Sequence, residues 1–263
     1  MCNHFEQGND LNEFLFNISA NLLSDIIFLL GFFLIAWLIF YFTKRQKLFK
    51  FFSIKDSRRL NVYLSRLFIQ RGGAIGVTGQ PASYQGISIV YNEAMYANKF
   101  RDNFNYLSPS LSDKPGLLSK ILFSDVLVRT VVSVTTPEEI DYTTSLITLG
   151  SPTYNVVSRE VQSNSQNQVQ FANNGTTVNI QGLQPMNNLT YGFIQRIHDS
   201  QNGRSTFYTA GLAEIGTVGA ANFLATNWVL LYKKFKGDSN FIIVIDFDQT
   251  NINKWSIIAE NSW

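Results

Sequence analysis

The stretch that decides how this chain is organised is "SDIIFLLGFFLIAWLIFYFTKRQK", from Ser24 to Lys47. Seventeen consecutive residues, Ile26 to Phe42, carry no charge, which is close to the roughly 20 that a helix needs to cross a bilayer core. No Lys or Arg precedes this run and bulky aromatic residues end it, so it lacks the features of a cleaved secretory signal. The sequence therefore predicts a retained transmembrane helix.

The charges that flank this helix predict its orientation. Residues 1–43 contain no Lys or Arg, whereas a basic cluster follows within sixteen positions: Lys44, Arg45, Lys47, Lys50, Lys55, Arg58 and Arg59. Because basic flanks stay on the cytoplasmic side of a membrane, we expect a single-pass protein with its N-terminus outside. The chain then divides into the N-terminal segment with its helix (1–43), a basic juxtamembrane linker (44–59) that connects helix and domain, and a cytosolic domain (60–263).

Two residues of the helix are candidates for a pore or gate. Asp25 is ionisable at the edge of the apolar run, and such a group either marks the outer head-group layer or lines a water-filled path. Gly31 would allow a neighbouring helix to approach closely, although no small residue lies four positions away. One helix cannot enclose a channel, so a pore requires several copies in a closed homo-oligomer.

Composition limits the chemistry of the cytosolic domain. From Leu60 onward there are fourteen basic and fourteen acidic residues, which argues against a broad surface for duplex DNA. Cys2 is the only cysteine, and His4 and His198 are the only histidines, so we expect no metal site and no cofactor. We predict that the protein is not an enzyme. The alternative is a membrane-tethered hydrolase of nucleotides, in which Glu214 or Asp199 is the catalytic carboxylate.

Beyond the linker the sequence predicts an α/β domain. "SLITLG" (Ser145–Gly150) and "FIIVIDF" (Phe241–Phe247) are typical of buried strands, and "GTVGAANFLATNWVLLYKKFK" of a helix packed through its small residues. Asn-Gly pairs in "VQFANNGTTVNIQ" and "YGFIQRIHDSQNGRSTFYTAGL" predict hairpins. This order of elements indicates parallel strands with inserted antiparallel β hairpins.

Ligands of such sheets bind outside the carboxyl ends of the strands. Two stretches meet this condition, "LGSPTYN" (Leu149–Asn155) and "AGLAEIGTVGAAN" (Ala210–Asn222), because each joins a strand to a helix N-terminus that favours a phosphate. The candidate ligand-binding residues in them are Gly150, Ser151, Asn155, Gly211, Glu214, Gly216 and Thr217.

Other interpretations of these residues stay open. Ser151 could simply cap the following helix, Glu214 could do the same for the next one, and Gly216 could serve tight packing of a helix on the sheet. Arg159 and Arg196 are further candidates, because they are cations near these loops in sequence and Arg suits bidentate contact with phosphate.

At residue level, "ITLGSPTYN" and "FYTAGLAEIGTVGAANFLATNW" resemble the Rossmann-like nucleotide-sensing domains of anti-phage systems. The plan of the chain is similar to the pore-forming effectors of Hailong defence systems, followed by the membrane effectors of Pycsar and CBASS systems. The resemblance implies an ion channel of the bacterial inner membrane, with a tetramer favoured. It implies gating by a nucleotide or short single-stranded oligonucleotide from a partner nucleotidyltransferase. In Hailong the implied signal is a deoxyadenylate oligomer that silences the channel.

Overall fold

The computed structural model describes residues 7–54, 59–70, 85–89, 91–105, 127–131, 135–172, 176–235 and 239–263. Lys55 and Arg58 of the basic cluster lie outside these ranges. The chain forms two compact units, Met1–Gln46 and Lys47–Trp263.

The apolar run lies in one long helix, α1, which spans Gln7–Phe52. The segment Leu22–Phe52 is the one helix among the described residues that is long and apolar enough to cross a membrane. Length and composition of this kind are shared by membrane anchors and by N-terminal signal sequences. Most apolar side chains of α1 between Leu22 and Phe42 are exposed, with Phe28 74% accessible. A surface of this kind is unfavourable in water.

The last turn of α1 belongs to the second unit. Leu48, Phe51 and Phe52 are at most 1% exposed, so this end of the helix is part of the hydrophobic core. Ser53 follows in the left-handed region with a φ of 50°, and the N–H of Ile54 donates to the carbonyl of Phe49 at 2.8 Å. The helix continues past residue 43 because no Gly or Pro interrupts the sequence before Phe52.

The second unit is a mixed α/β structure, as the sequence predicts. Its described strands are β1 (Arg59–Tyr63), β2 (Arg66–Gln70), β3 (Gln85–Ile89), β4 (Leu127–Val131), β5 (Ser145–Leu149), β6 (Val169–Ala172), β7 (Thr177–Ile180), β8 (Tyr191–Asp199), β9 (Arg204–Gly211), β10 (Phe241–Phe247) and β11 (Trp255–Ser262). Its described helices are α2 (Tyr91–Asn105), α3 (Val156–Gln162) and α4 (Glu214–Lys234), with a 3₁₀ turn at Pro137–Glu139.

Seven strands form the central sheet in the order β4-β1-β5-β9-β8-β10-β11. The strands β4, β1, β5 and β9 run parallel to one another, whereas β8, β10 and β11 add antiparallel pairs. The pairs β2–β3 and β6–β7 are separate antiparallel hairpins. The predicted strands at β5 and β10 and the hairpin β6–β7 are therefore confirmed.

Helices and a hairpin cover the two faces of the sheet. On one face α2 and α4 contact each other, and α4 contacts β8, β9 and β10. Phe207 of β9 lies on this face, with its ring 4.9 Å from that of Phe52. The neighbouring Tyr208 points to the opposite face because side chains alternate along a strand. There it packs with Val161 of α3 and with Val169 and Val178 of the hairpin β6–β7.

Strand β11 is not predicted from the sequence. Its sequence, "WSIIAENS", places two adjacent isoleucines beside polar residues, and most of its side chains are exposed. A strand at the edge of a sheet needs neither the continuous apolar run of a buried strand nor strict alternation. Strand β11 is therefore recognised by its hydrogen-bonded pairing with β10 and not by its residue pattern.

Candidate functional site at the carboxyl ends of the strands

The two loops predicted to bind a ligand lie next to each other. Strands β5 and β9 are parallel neighbours, so the loops that leave them emerge at the same edge of the sheet. The N–H of Gly150 donates to the carbonyl of Thr209 at 2.9 Å, which joins the two exits directly. The segment after β1 emerges beside them because β1 is the other parallel neighbour of β5.

The loop after β5 is organised by Asn155, which is buried. Its Oδ1 accepts hydrogen bonds from the N–H groups of Val157 and Ser158, and its Nδ2 donates to the carbonyls of Leu149 and Tyr63. Asn155 is therefore the N-cap of α3. The sequence makes Ser151 one candidate for this cap, but in the structure Asn155 has that role instead.

A buried carboxyl group, that of Glu93 in the first turn of α2, lies at this edge. Its Oε2 accepts a hydrogen bond from the N–H of Ser65 at 2.9 Å, and the hydroxyl of Ser65 donates to the carbonyl of Leu149 at 3.0 Å. Burial raises the pKa of Glu93 from 4.5 to about 7, the hydrogen bonds from Ser65 oppose the rise, and the charge of Glu214 adds to it. Glu93 therefore exchanges a proton near neutral pH.

Gly150 has no room for a side chain. Its φ of 93° lies in the region that only glycine enters readily. A Cβ at this position would lie 2.0 Å from Oγ of Ser65 and 3.0 Å from Oε1 of Glu93. The loop after β5 thus passes directly over the buried carboxyl group.

The residues after β9 serve mainly the packing of α4. A Cβ on Gly216 would lie 2.2 Å from the carbonyl oxygen of Tyr191, so glycine is required for the close approach of α4 to β8. The hydroxyl of Thr217 accepts a hydrogen bond from the N–H of Gly211 at 3.0 Å. Glu214 is exposed in the first turn, and the N-cap, Ala213, provides no side-chain hydrogen bond to the helix.

A cleft of about 360 Å³ opens beside the start of α4, and we call it the Tyr96 cleft. Its lining comes from α2, from the first turns of α4 and from the turn between β10 and β11: Tyr96, Glu214, Ile215, Val218, Gln249, Thr250, Asn251 and Ile252. It is of the size that small ligands occupy.

The two candidate arginines differ in their placement. Arg159 is exposed in the last turn of the short helix α3, and its Nε and Nη2 lie 3.4 Å from the carbonyl of Pro152 in the loop after β5. Arg196 is fully buried and is paired with Phe207, about 13 Å along β9 from Gly211. Arg159 thus lies with the predicted loops, and Arg196 does not.

Arg196 belongs to a polar cluster that holds the end of α1. We call Ser53, Arg196, His198 and Ser205 the anchor cluster. The hydroxyl of Ser53 is 2.7 Å from that of Ser205 and 3.3 Å from Nη2 of Arg196. Nε of Arg196 donates to Oγ of Ser205 at 3.2 Å, and Nδ1 of His198 is 3.0 Å from the same oxygen.

Aromatic rings enclose the guanidinium group of this cluster. It lies 5.6 Å from the ring centre of Phe51 and 5.8 Å from that of Phe207. Contacts of this kind favour a cation over a ring face. The cluster therefore fixes the end of α1 to strands β8 and β9.

Asp199 lies in a second, polar cleft of about 540 Å³, on the opposite side of the sheet from α4. Its Oδ1 accepts from the N–H groups of Gln201 and Asn202, and its Oδ2 from the side chains of Asn202 and Arg204. The hydrogen bonds from Asn202 lower the pKa of Asp199. The group is a stable carboxylate that holds the turn between β8 and β9.

The pore candidates lie in the first unit. Asp25 is exposed, and a Cβ on Gly31 would have nothing within 4 Å. Among the described residues, no group of three His, Cys, Asp or Glu side chains could hold a metal ion.

Sequence reasoning missed Ser65, Glu93 and Tyr96 as site residues. A signal was present for Glu93: it shares one stripe of α2 with Tyr96, Ala97, Phe100 and Phe104, all of which are buried. A carboxylate on the apolar stripe of a helix indicates a paired or functional group.

Comparison of the chain with protein-family models, curated proteins and solved structures found no match.

Proposed function

We propose that the protein is a membrane effector in which a Rossmann-like cytosolic domain binds a nucleotide or short oligonucleotide and gates an oligomeric, ion-conducting pore. Its place is the bacterial inner membrane, with the N-terminus outside and a role in anti-phage defence. The observation that carries the proposal is the exposed apolar surface of α1. Burial of such a surface in lipid and against other copies would remove it from water.

The oligomer follows from the single span. One helix has no interior path for an ion, so symmetric copies must surround one. Asp25 would lie at the outer end of that path and Gly31 would allow close helix contact. A tetramer is the assembly that the resemblance favours.

The ligand site proposed is the edge where β1, β5 and β9 end. The exposed Arg159, the exit of β5 at Gly150 and Ser151, and the N-terminus of α4, where Ala213 provides no side-chain cap, support it. Ligands of parallel sheets bind at this edge. Gly211, Gly216 and Thr217 would support this site without contacting the ligand, because their atoms pack α4 against the sheet.

The proposed link between ligand and pore is the end of α1. Strand β9 carries Phe207, which contacts Phe51 and Phe52, and it ends at the ligand site. A shift of β9 on ligand binding would act on α1 through these rings and through the anchor cluster. Packed interfaces that have two stable arrangements amplify small shifts in proteins.

Liposomes test this function. The purified full chain would be reconstituted into vesicles that hold a fluorescent dye, and release measured with and without nucleotides and short deoxyadenylate oligomers. We expect release that a ligand switches on or off, and a mass in mild detergent above that of one chain. Vesicles that stay sealed under every ligand condition, or a monomeric mass, would exclude a pore.

A matched pair of variants controls for membrane insertion. Ile35→Lys places a charge in the middle of the apolar run, which is costly in lipid, and should abolish release. Thr43→Lys adds the same charge beside Lys44 at the basic flank, where it should be tolerated.

A second candidate function is hydrolysis of a nucleotide at the same edge. The observation that favours it is the pKa of about 7 of the buried Glu93, because a general acid or base works best when its pKa is near the working pH. Chromatography of nucleosides and nucleotides incubated with the protein tests it. The hydrolase would be favoured if product forms with the wild type but not with a folded Glu93→Gln variant. If no product forms with the wild type, this function is excluded.

A further inference from the structure

The Tyr96 cleft has walls suited to a flat, uncharged group. The ring of Tyr96 and the aliphatic side chains of Ile215, Val218 and Ile252 line it. Apolar walls with a few polar groups at the rim are the usual surroundings of a bound heterocyclic ring.

The charges around the cleft do not suit a phosphate. Glu214 is its one charged lining residue among those described, and its carboxylate is close enough to Glu93 to raise the pKa of that group. The ammonium of Lys99, one turn from Tyr96 on α2, lies behind the lining: it is 4.5 Å from the Tyr96 ring centre and donates to Oδ1 of Asn222 at 3.0 Å. The carboxylate of Glu214 would repel a phosphate that entered the cleft.

The rim offers hydrogen bonds from a well-held turn. Oδ1 of Asp248 accepts from the N–H groups of Thr250 and Asn251, and from the hydroxyl of Thr250 at 2.6 Å. Nδ2 of Asn222, on α4, donates to Oδ1 of Asn253 at 3.2 Å. The exposed amide of Gln249 is thus presented from a fixed backbone, and an amide can pair with the donor and acceptor edge of a base.

From these walls, charges and rim we infer that the Tyr96 cleft binds the uncharged base of a nucleoside-type ligand, and that the phosphate of that ligand stays outside the cleft. The inference rests on the proposed function, in which the strand edge binds a nucleotide. It assigns the base to α2, α4 and the β10–β11 turn, and it assigns the sugar hydroxyls to the carboxylate of Glu214, which accepts hydrogen bonds but repels phosphate.

Calorimetric titration of the full chain in detergent tests the assignment. The probes are the common ribonucleosides and deoxyribonucleosides, their 5′-monophosphates, and inorganic phosphate as a competitor. We expect one nucleoside to bind within about tenfold of its monophosphate, and inorganic phosphate not to displace it. Ile252→Asp, at a half-buried position on the rim, should abolish nucleoside binding, whereas Glu160→Gln in the second cleft should leave it unchanged.

Glu214→Lys separates base from phosphate. It reverses the charge at an exposed position, so we expect monophosphates to gain about tenfold over their nucleosides. If monophosphates bind, nucleosides do not, and Ile252→Asp has no effect, the inference is wrong while the proposed function stands. If no nucleoside, nucleotide or oligonucleotide binds, the proposed function fails and the inference fails with it.

Discussion

The main-chain N–H of Ser65 donates a hydrogen bond to Oε2 of Glu93 at 2.9 Å. This bond joins the exit of β1 to the first turn of α2, and the hydroxyl of the same serine reaches the exit of β5 through the carbonyl of Leu149. Three elements of the proposed ligand edge therefore meet at one carboxyl group. Because that group changes its protonation near neutral pH, the edge should respond to pH.

We expect the stability of the protein to fall as the pH rises from about 4.5 to about 7. The pKa of Glu93 is raised in the folded state from 4.5 to about 7, so the native protein holds a proton that the unfolded chain releases. The stabilisation is complete below pH 4.5 and is lost as the pH approaches 7, by at most about 3 kcal/mol. Denaturation of the full chain in detergent at pH 5 and pH 8 measures it.

Glu93→Gln should remove this part of the pH dependence and make the variant more stable than the wild type at pH 8, because an amide has no charge to bury. Glu160→Gln, at a carboxylate outside the edge, serves as the control and should keep the wild-type profile. If the stability of the wild type and of Glu93→Gln depended on pH in the same way, the pKa of Glu93 would not be raised in the folded protein.

Gly150→Ala should destabilise the protein by about 3 kcal/mol or more, because it combines a left-handed backbone with a steric clash. The new Cβ would lie 2.0 Å from Oγ of Ser65. Gly182→Ala is the matched control: its φ of 77° is also positive, but the nearest atom to its Cβ is 3.8 Å away. The control should lose only about 1 kcal/mol. Equal losses in the two variants, measured by thermal unfolding, would contradict the packing argument.

Local sequence signals were sufficient for the buried strands β5 and β10. The apolar run Ile242–Ile245, and the run Leu146–Leu149 with Thr148 as its one polar residue, predict strands that are covered on both faces. Once β5 and β9 are parallel neighbours, the loops at Gly150 and Gly211 must lie together. That pairing joins residues that are distant in sequence, so the sequence predicts the two loops and the structure supplies their adjacency.

The remaining features depend on contacts that a linear pattern does not contain. Gly216 is indispensable because of the carbonyl of Tyr191, a residue on another strand. Arg196 is buried because Phe51, at the end of α1, covers it. When these partners are not known from the sequence, a glycine at the start of a helix and an arginine near a loop both suggest a phosphate site.

Asn155→Ala should destabilise the protein by about 2 kcal/mol, because the variant loses the N-cap of α3 and leaves buried main-chain groups without partners. Asn155→Asp keeps an acceptor for Val157 and Ser158 but cannot donate to the carbonyls of Leu149 and Tyr63, so it should also be destabilised. Ser151→Ala tests the alternative cap from the sequence and should cost less than about 0.5 kcal/mol. A larger loss from Ser151→Ala than from Asn155→Ala in thermal unfolding would reverse the assignment.

Arg196→Met should separate stability from gating. Methionine fills a similar volume between Phe51 and Phe207 without a buried charge, so we expect stability to change by less than about 2 kcal/mol, while Ser53 and Ser205 keep their mutual hydrogen bond. The bonds from the guanidinium group to Ser53 and to the carbonyl of Ser239 are lost, and ligand-dependent dye release should be lost with them. Arg204→Met, at a half-exposed ion pair with Asp199, should change neither property. If Arg196→Met folds and its dye release still follows the ligand, the anchor cluster does not connect the domain to the pore.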